Sequence, residues 1–118
     1  MDKEFLEELF APFGEVVIRN MFGGTGIFHR GLNFAGIMDG QFMLKVDDET
    51  VGDFVAEGMT PWEYTRKDGK VVTMGYWSVP ERLLDDPEEF KLWAQKAFDA
   101  ACRIDQAKPP KQRKLQEF

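Results

Sequence analysis

The sequence predicts an α+β fold, a two-layer sandwich in which an antiparallel sheet of about six strands is covered by three helices. Apolar residues recur at helical spacing in three segments, and short runs rich in β-branched and aromatic residues lie between them. Tight turns connect these short runs, and strands joined by tight turns pair antiparallel. The predicted order of elements is therefore α-β-β-β-β-α-β-β-α.

The first helix is predicted over residues 3–13, and Gly14 ends it. Five apolar side chains of this segment fall on one stripe: Phe5, Leu6, Leu9, Phe10 and Phe13. Four strands follow in the prediction, over residues 15–21, 26–30, 32–38 and 41–46. Gly23 and Gly24 stand between the first two strands, and Gly26 begins the second. A phosphate-binding loop opens onto a helix, whereas a short strand follows here, so we interpret these glycines as a structural bend.

The turn Asp39-Gly40 joins the third and fourth strands into a hairpin. One face of this hairpin is predicted to form the core: Ala35, Ile37, Phe42, Leu44 and Val46. The other face is too apolar for open water: Phe34, Met38, Met43 and Lys45. In this register Ile37 lies opposite Phe42, and Ala35 lies opposite Leu44. Exposed apolar patches indicate interfaces, so we predict a homodimer that pairs these faces or the sheet edges.

The second helix is predicted over residues 49–57, with Asp48 as its N-cap. A second hairpin follows, from Trp62 to Val79. If Asp68-Gly69 is its central pair, Tyr64 lies opposite Thr73 and Trp62 lies opposite Gly75.

The third helix begins at Asp86, which is followed by a proline at the first helical position and by a capping-box glutamate at the third. Pro109-Pro110 ends regular structure. We therefore predict one domain over residues 1–104 and a basic, proline-containing, disordered tail over residues 105–118.

Composition and charge exclude several classes of function. The chain has 118 residues, enough for one domain. Its net charge is −6, and because residues 108–118 carry +3, the rest carries −9. A domain with this negative charge repels the phosphate backbone of a nucleic acid, so we predict that it does not bind nucleic acid directly. The sequence has no apolar run long enough for a membrane span, and its acidic start is unlike a signal peptide. Cys102 is its one cysteine. We expect a cytoplasmic protein without membrane contact.

Few residues are candidates for chemistry. His29 is the single histidine, and we interpret it as a structural residue of a surface strand. Cys102 lies at the edge of the third helical stripe, which is typical of a buried thiol. The acidic clusters at residues 47–49 and 85–89 stand where helix starts favour negative charge. We therefore predict no catalytic residue, no metal site and no cofactor.

Two cations stand among apolar residues of predicted strands, Arg19 and Lys45. A structural ion pair is the simpler interpretation of each. The alternative is an anion or partner site built from Arg19, Lys45 and Tyr76.

Several spaced motifs make the chain resemble the TfoX N-terminal domain family, named for bacterial regulators of natural competence. The first motif runs from Arg19 to Phe28 and contains Met21, Phe22, Gly23, Gly24 and Gly26. The second is Asp39-Gly40, followed by Leu44-Lys45 and Asp47. The third, from Met74 to Pro80, includes Tyr76, Trp77, Val79 and Pro80, and the helix from Asp86 closes the pattern. The third motif has Gly75 where the family pattern leads us to expect serine.

The resemblance, which covers about residues 3–103, implies a small α+β domain with an antiparallel sheet, dimeric in some members. It also implies a link to the regulation of competence genes, with no known catalytic residues and no cofactor. Our leading interpretation is a non-catalytic regulatory or protein-interaction domain that acts through an unidentified protein partner. A sensor of a small ligand or anion is the first alternative, and an enzyme is the second.

Overall fold

The computed structural model describes residues 2–21 and 23–115, apart from the side chains of Thr73 and Met74. Phe22, one of the motif residues, therefore lies outside the described residues. Within these described residues the chain forms three α-helices: α1 (Lys3–Phe10), α2 (Val51–Ala56) and α3 (Pro87–Gln106). The same residues form six strands: β1 (Val17–Met21), β2 (Gly24–His29), β3 (Leu32–Met38), β4 (Gln41–Lys45), β5 (Pro61–Thr65) and β6 (Val71–Ser78). The predicted α+β class and the order of elements are confirmed.

All six strands belong to one antiparallel sheet with the order β1-β2-β3-β4-β6-β5. Met21 of β1 pairs with Gly24 of β2, so the hairpin loop between these strands lies within the glycine motif. Gly23 in this loop has a φ of +79°, which glycine adopts without steric cost. The predicted bend between two strands is present at Gly23, whereas Gly24 and Gly26 lie within β2. In the β3–β4 hairpin Ile37 pairs with Phe42 and Ala35 with Leu44, as predicted.

The helices cover one face of the sheet and enclose an aromatic core. Helix α3 packs on β3 and β4, and α1 packs on α3. The ring of Phe10 lies edge-on to Phe34 and to Phe90, with centroids 5.7 Å and 4.9 Å away. Phe54 of α2 packs in the same way on Trp93, at 5.0 Å. Edge-to-face pairs of this kind stabilise a core beyond the area that they bury.

The prediction that Phe34 lies on the uncovered face is wrong. Phe34 is fully buried among the helix-side aromatics, including Phe13 at 5.3 Å and Phe98 at 5.7 Å. The cause is a β-bulge: Ile27 pairs with Ala35 but Phe28 pairs with Asn33, so Phe34 is an extra residue in β3. A bulge of this kind breaks the alternation of side chains that the prediction assumed.

The predicted register of the second hairpin is also wrong by one residue. Tyr64 pairs with Val72 rather than with Thr73. Trp62 has no single partner, because the pairing shifts between Pro61 and Glu63 opposite the segment that contains Gly75. Gly75 has a φ of +74°, and its carbonyl oxygen accepts a hydrogen bond from the Val46 amide at 2.9 Å. Glycine adopts this conformation without steric cost, which favours it at position 75 of this chain.

Two helix starts differ from the predictions in their side-chain partners. Asp47, not Asp48, accepts hydrogen bonds from the amides before α2, those of Glu49 at 3.1 Å and Thr50 at 3.2 Å. Asp86 caps α3 as predicted, by accepting from the Glu89 amide at 3.1 Å. The Glu89 carboxylate does not complete a capping box but pairs with Arg82 at 2.8 Å.

The segment that follows α3 packs against the rest of the domain as far as residue 115. Helix α3 extends past residue 104 to Gln106, and the chain then turns back onto it. The buried carboxylate of Asp105 accepts hydrogen bonds from the amides of Lys114 at 2.7 Å and Leu115 at 2.9 Å. The Leu115 side chain is 8% exposed and joins the core cluster. The division of the chain into a domain and a tail stays a prediction.

Candidate binding site on the open face of the sheet

A cavity of about 340 Å³ opens on the face of the sheet that the helices do not cover. Met21 of one edge strand and Trp62 of the other line the same cavity, so the sheet curls around it. Its lining residues come from β1, β2, β3, β5, β6 and the adjoining turns: Met21, Gly23, Gly24, Thr25, Gly26, Asn33, Ala35, Gly36, Met38, Asp39, Trp62 and Tyr76. Concave, mainly apolar sites with a few polar groups are typical of ligand or partner recognition.

Three glycines, Gly24, Gly26 and Gly36, allow close contacts beneath this cavity. A Cβ atom on Gly24 would lie 2.5 Å from the Ile37 carbonyl oxygen, and one on Gly36 would lie 2.8 Å from the Thr25 carbonyl oxygen. At Gly26 the atom nearest to an added Cβ is Sδ of Met21. Side chains at these positions would therefore collide with a neighbouring strand or occupy the space of the cavity.

The cavity brings together motif residues that are far apart in the sequence. Most of the glycine motif lines it, together with Asp39 of the Asp-Gly turn and Tyr76 of the third motif. Gly40 lines a neighbouring opening on the same face. Trp77 instead faces the helices and packs on Phe54, with ring centroids 6.5 Å apart. Pro80 is buried at the start of the 3₁₀ turn Glu81–Asp85, so these last two motif residues are structural.

Tyr76 and Asn33 form the polar wall of the cavity. The Tyr76 hydroxyl donates a hydrogen bond to Oδ1 of Asn33. The Asn33 amide in turn donates to the carbonyl oxygens of Ile27 at 3.4 Å and Ala35 at 3.3 Å. Burial raises the pKa of Tyr76 to about 12, so its hydroxyl stays protonated and can donate at neutral pH. Asn33 was missed by the sequence reasoning, although a lone amide inside an apolar strand is a usable signal.

Only two of the three residues that we predicted to form an anion site lie close together in the structure. Lys45 and Tyr76 are paired on neighbouring strands, and the Lys45 ammonium lies 4.5 Å from the centre of the Tyr76 ring. Arg19 is on the edge strand β1, and its guanidinium lies 5.4 Å from the centre of the Phe28 ring. Burial lowers the pKa of Lys45, and the charge of Lys108 lowers it further. Lys108 therefore takes the place next to Lys45 that we had predicted for Arg19.

The remaining candidates for chemistry have structural environments. His29 lies half-buried between Phe13 and Phe98, with ring centroids 4.9 Å and 4.8 Å away, and its Nδ1 contacts the Glu15 carbonyl oxygen at 2.6 Å. Cys102 is fully buried. Burial is the main cause that raises the pKa of the Cys102 thiol to about 11, so the thiol stays protonated at neutral pH.

The acidic residues that cap helices also have defined partners. Arg103 holds Asp47 through two hydrogen bonds, Nε to Oδ2 at 2.6 Å and Nη2 to Oδ1 at 3.1 Å. Over residues 2–21 and 23–115, no group of three or more His, Cys, Asp or Glu side chains is arranged to hold a metal ion. In the same residues, no helix is long and apolar enough to cross a membrane.

The comparison with known families agrees with the motifs that meet at the cavity. The model of the TfoX N-terminal domain matches residues 8–101, which include β1 to β6 and most of α3. No curated protein matches the chain. A match over this much of the sequence, on a fold of the expected class, identifies the family. The chain belongs to the TfoX N-terminal domain family.

Proposed function

We propose that the chain is a non-catalytic regulatory domain that binds a protein partner through the cavity on the open face of its sheet. One observation carries this proposal: motif residues from three separate segments, among them Met21, Gly26, Asp39 and Tyr76, line a single cavity. Apolar atoms make up most of the lining, as in pockets that receive an anchoring side chain of a partner. Membership of the TfoX family supports a role in regulating competence genes.

Trp62 and Tyr64 provide a matched pair of variants for this proposal. Their rings are stacked on β5 with centroids 6.3 Å apart, yet of the two only Trp62 lines the cavity. We expect Trp62→Ala to abolish the capture of a specific partner from source-cell extract, while Tyr64→Ala retains it. Proteins captured by the wild type and by each variant are compared by quantitative mass spectrometry. A partner retained equally by both variants would contradict binding at the cavity.

The regulatory role is tested in the source cells. We expect that deleting the gene changes the transcript levels of competence genes, and that the Tyr64→Ala protein restores them whereas the Trp62→Ala protein does not. Unchanged competence transcripts after deletion would refute the regulatory role, although they would leave the partner-binding result intact. Circular dichroism of both purified variants confirms that each is folded.

A small-ligand sensor is the second candidate function, and the size of the cavity favours it. A volume of about 340 Å³ is within the range of cavities that hold a small organic molecule. A ligand that binds only the native protein raises its melting temperature. In a metabolite screen, we expect such a ligand to raise the melting temperature of the wild type and of Tyr64→Ala but not of Trp62→Ala. If a protein partner is captured and no metabolite raises the melting temperature, the small-ligand sensor is excluded.

A further inference from the structure

A second cavity, of about 270 Å³, lies between the end of α3 and the sheet. Three lysines from distant parts of the sequence line it, Lys45 on β4 and Lys108 and Lys114 after α3. Tyr76 and Asn33 line this cavity as well as the first one, so their hydrogen-bonded pair is a shared wall. We propose that the second cavity binds a small oxyanion, a carboxylate or a phosphate group, between Lys45, Lys108 and Lys114.

Lys45 supplies the inner cation of this site. Its ammonium lies over the Tyr76 ring, and a Cβ atom on Gly75 would lie 3.8 Å from Nζ. In the part of the chain that the structure describes, none of the ion pairs includes Lys45. An ammonium has three N–H donors, and the face of a ring satisfies at most one direction. The half-buried Lys45 therefore retains donors for an anion.

Charge in the cavity is positive although the whole chain carries −6. Among the lining residues that the structure describes, Asp105 is the one carboxylate, against the three lysines. Both carboxylate oxygens of Asp105 are engaged by backbone amides, those of Lys114 and Leu115. Burial acts to raise the pKa of Asp105, but these hydrogen bonds and the charge of Lys108 outweigh it and leave the pKa below its usual value. Asp105 thus fixes the returning segment and leaves an excess of positive charge beside it.

The size of the cavity limits the ligand to a small anion or an anionic group. Its volume of about 270 Å³ is below the range that is typical of drug-sized ligands. Cations that project from different elements into one cleft attract anions more strongly than the same charges in open water, because the effective dielectric constant in the cleft is lower. This site differs in charge from the apolar cavity of the proposed function and does not depend on it.

Titrations with inorganic phosphate and with acetate, each at constant ionic strength, test the proposal by two-dimensional ¹⁵N NMR. We expect saturable shifts at the amides of Lys45, Tyr76 and Lys114 with at least one of the two anions. Binding of phosphate alone assigns the site to phosphoryl groups, and binding of acetate assigns it to carboxylates. Shifts that stay linear with concentration, or that are confined to other parts of the chain, would overturn the proposal.

Variants at two lysines of the cavity, and at one lysine outside it as a control, locate the bound anion. We expect Lys45→Met and Lys108→Met each to weaken binding by about tenfold, which is the effect of losing one hydrogen bond to a charged group. Lys111→Met is the matched control, since Lys111 belongs to the same segment, is exposed and does not line the cavity. Lys108 is also exposed, so its variant tests the site without disturbing the core. Equal affinities of the wild type, Lys45→Met and Lys108→Met would refute the site.

Discussion

Replacing Gly24 by alanine tests whether the glycine motif is required by close packing between strands. The new Cβ atom would lie 2.5 Å from the carbonyl oxygen of Ile37 and 3.6 Å from that of Met21. Ile37 belongs to the neighbouring strand β3, so the colliding atom is backbone and has no rotamer by which to move away. Strands β2 and β3 would have to separate locally, which weakens the pairing of Thr25 with Ile37.

Overpacking of this kind costs about 1–3 kcal/mol of unfolding free energy. Because urea m-values of small domains are about 1–3 kcal/mol per M, we expect the Gly24→Ala midpoint to fall by about 1 M urea. Gly52→Ala is the control: Gly52 lies in α2 with no atom within 4 Å of its added Cβ. Alanine is the better helix former, so we expect this variant to gain about 0.5–1 kcal/mol. A Gly24→Ala midpoint equal to that of the wild type, with an unchanged m-value, would refute the packing explanation.

Three further predictions follow from the core, an ion pair and the open face. Phe34→Ala should destabilise the protein by about 3–5 kcal/mol in urea unfolding, since its ring is fully buried; a cost near that of a surface residue would place Phe34 outside the core. Arg103 holds the pKa of Asp47 below its usual range, so this pair stabilises the fold above about pH 4, and the stabilisation is lost as pH falls through the lowered pKa. As the pH is lowered from neutral to acidic, the free energy of unfolding of Arg103→Met should therefore fall less than that of the wild type. Parallel curves of unfolding free energy against pH would contradict the linkage. The homodimer stays a prediction, with exposed Val17 on the edge strand β1 and exposed Val71 at the start of β6 available for it, and light scattering that gives the mass of a single chain at high concentration would exclude it.

Local patterns in the sequence were sufficient to predict the elements and one of the two Asp-Gly hairpins. The predicted strand over residues 32–38 coincides with β3, and the Asp39-Gly40 turn sets the register that the structure has. Hairpins of this type depend on the residues of the turn and their immediate neighbours, which a single sequence displays. The second hairpin failed at the turn itself: the Arg66 amide donates to the Lys70 carbonyl oxygen at 2.8 Å, so the loop spans residues 67–69 rather than the two residues that the prediction assumed.

Bulges account for the largest error, since strict alternation along a strand cannot represent an inserted residue. The extra residue at Phe34 transfers a large ring from the open face to the core. Met43, predicted on the same open face, is only 1% exposed. The apolar surface that suggested a dimer is therefore smaller than the sequence indicated. The position of a bulge depends on the partner strand, which a strand's own sequence does not reveal.

Neither cavity was predictable from local spacing, because each is formed by residues that long-range pairing brings together. Lys45 and Tyr76 were singled out as candidates, but Lys108 was assigned to a tail that we expected to be disordered. The residue that brings Lys108 and Lys114 to the sheet is Asp105, a buried carboxylate near the end of an amphipathic helix. A carboxylate on the apolar side of a helix is costly unless it is hydrogen-bonded. That cost implies a partner for Asp105, and the amides of the returning segment are the partner that the structure provides.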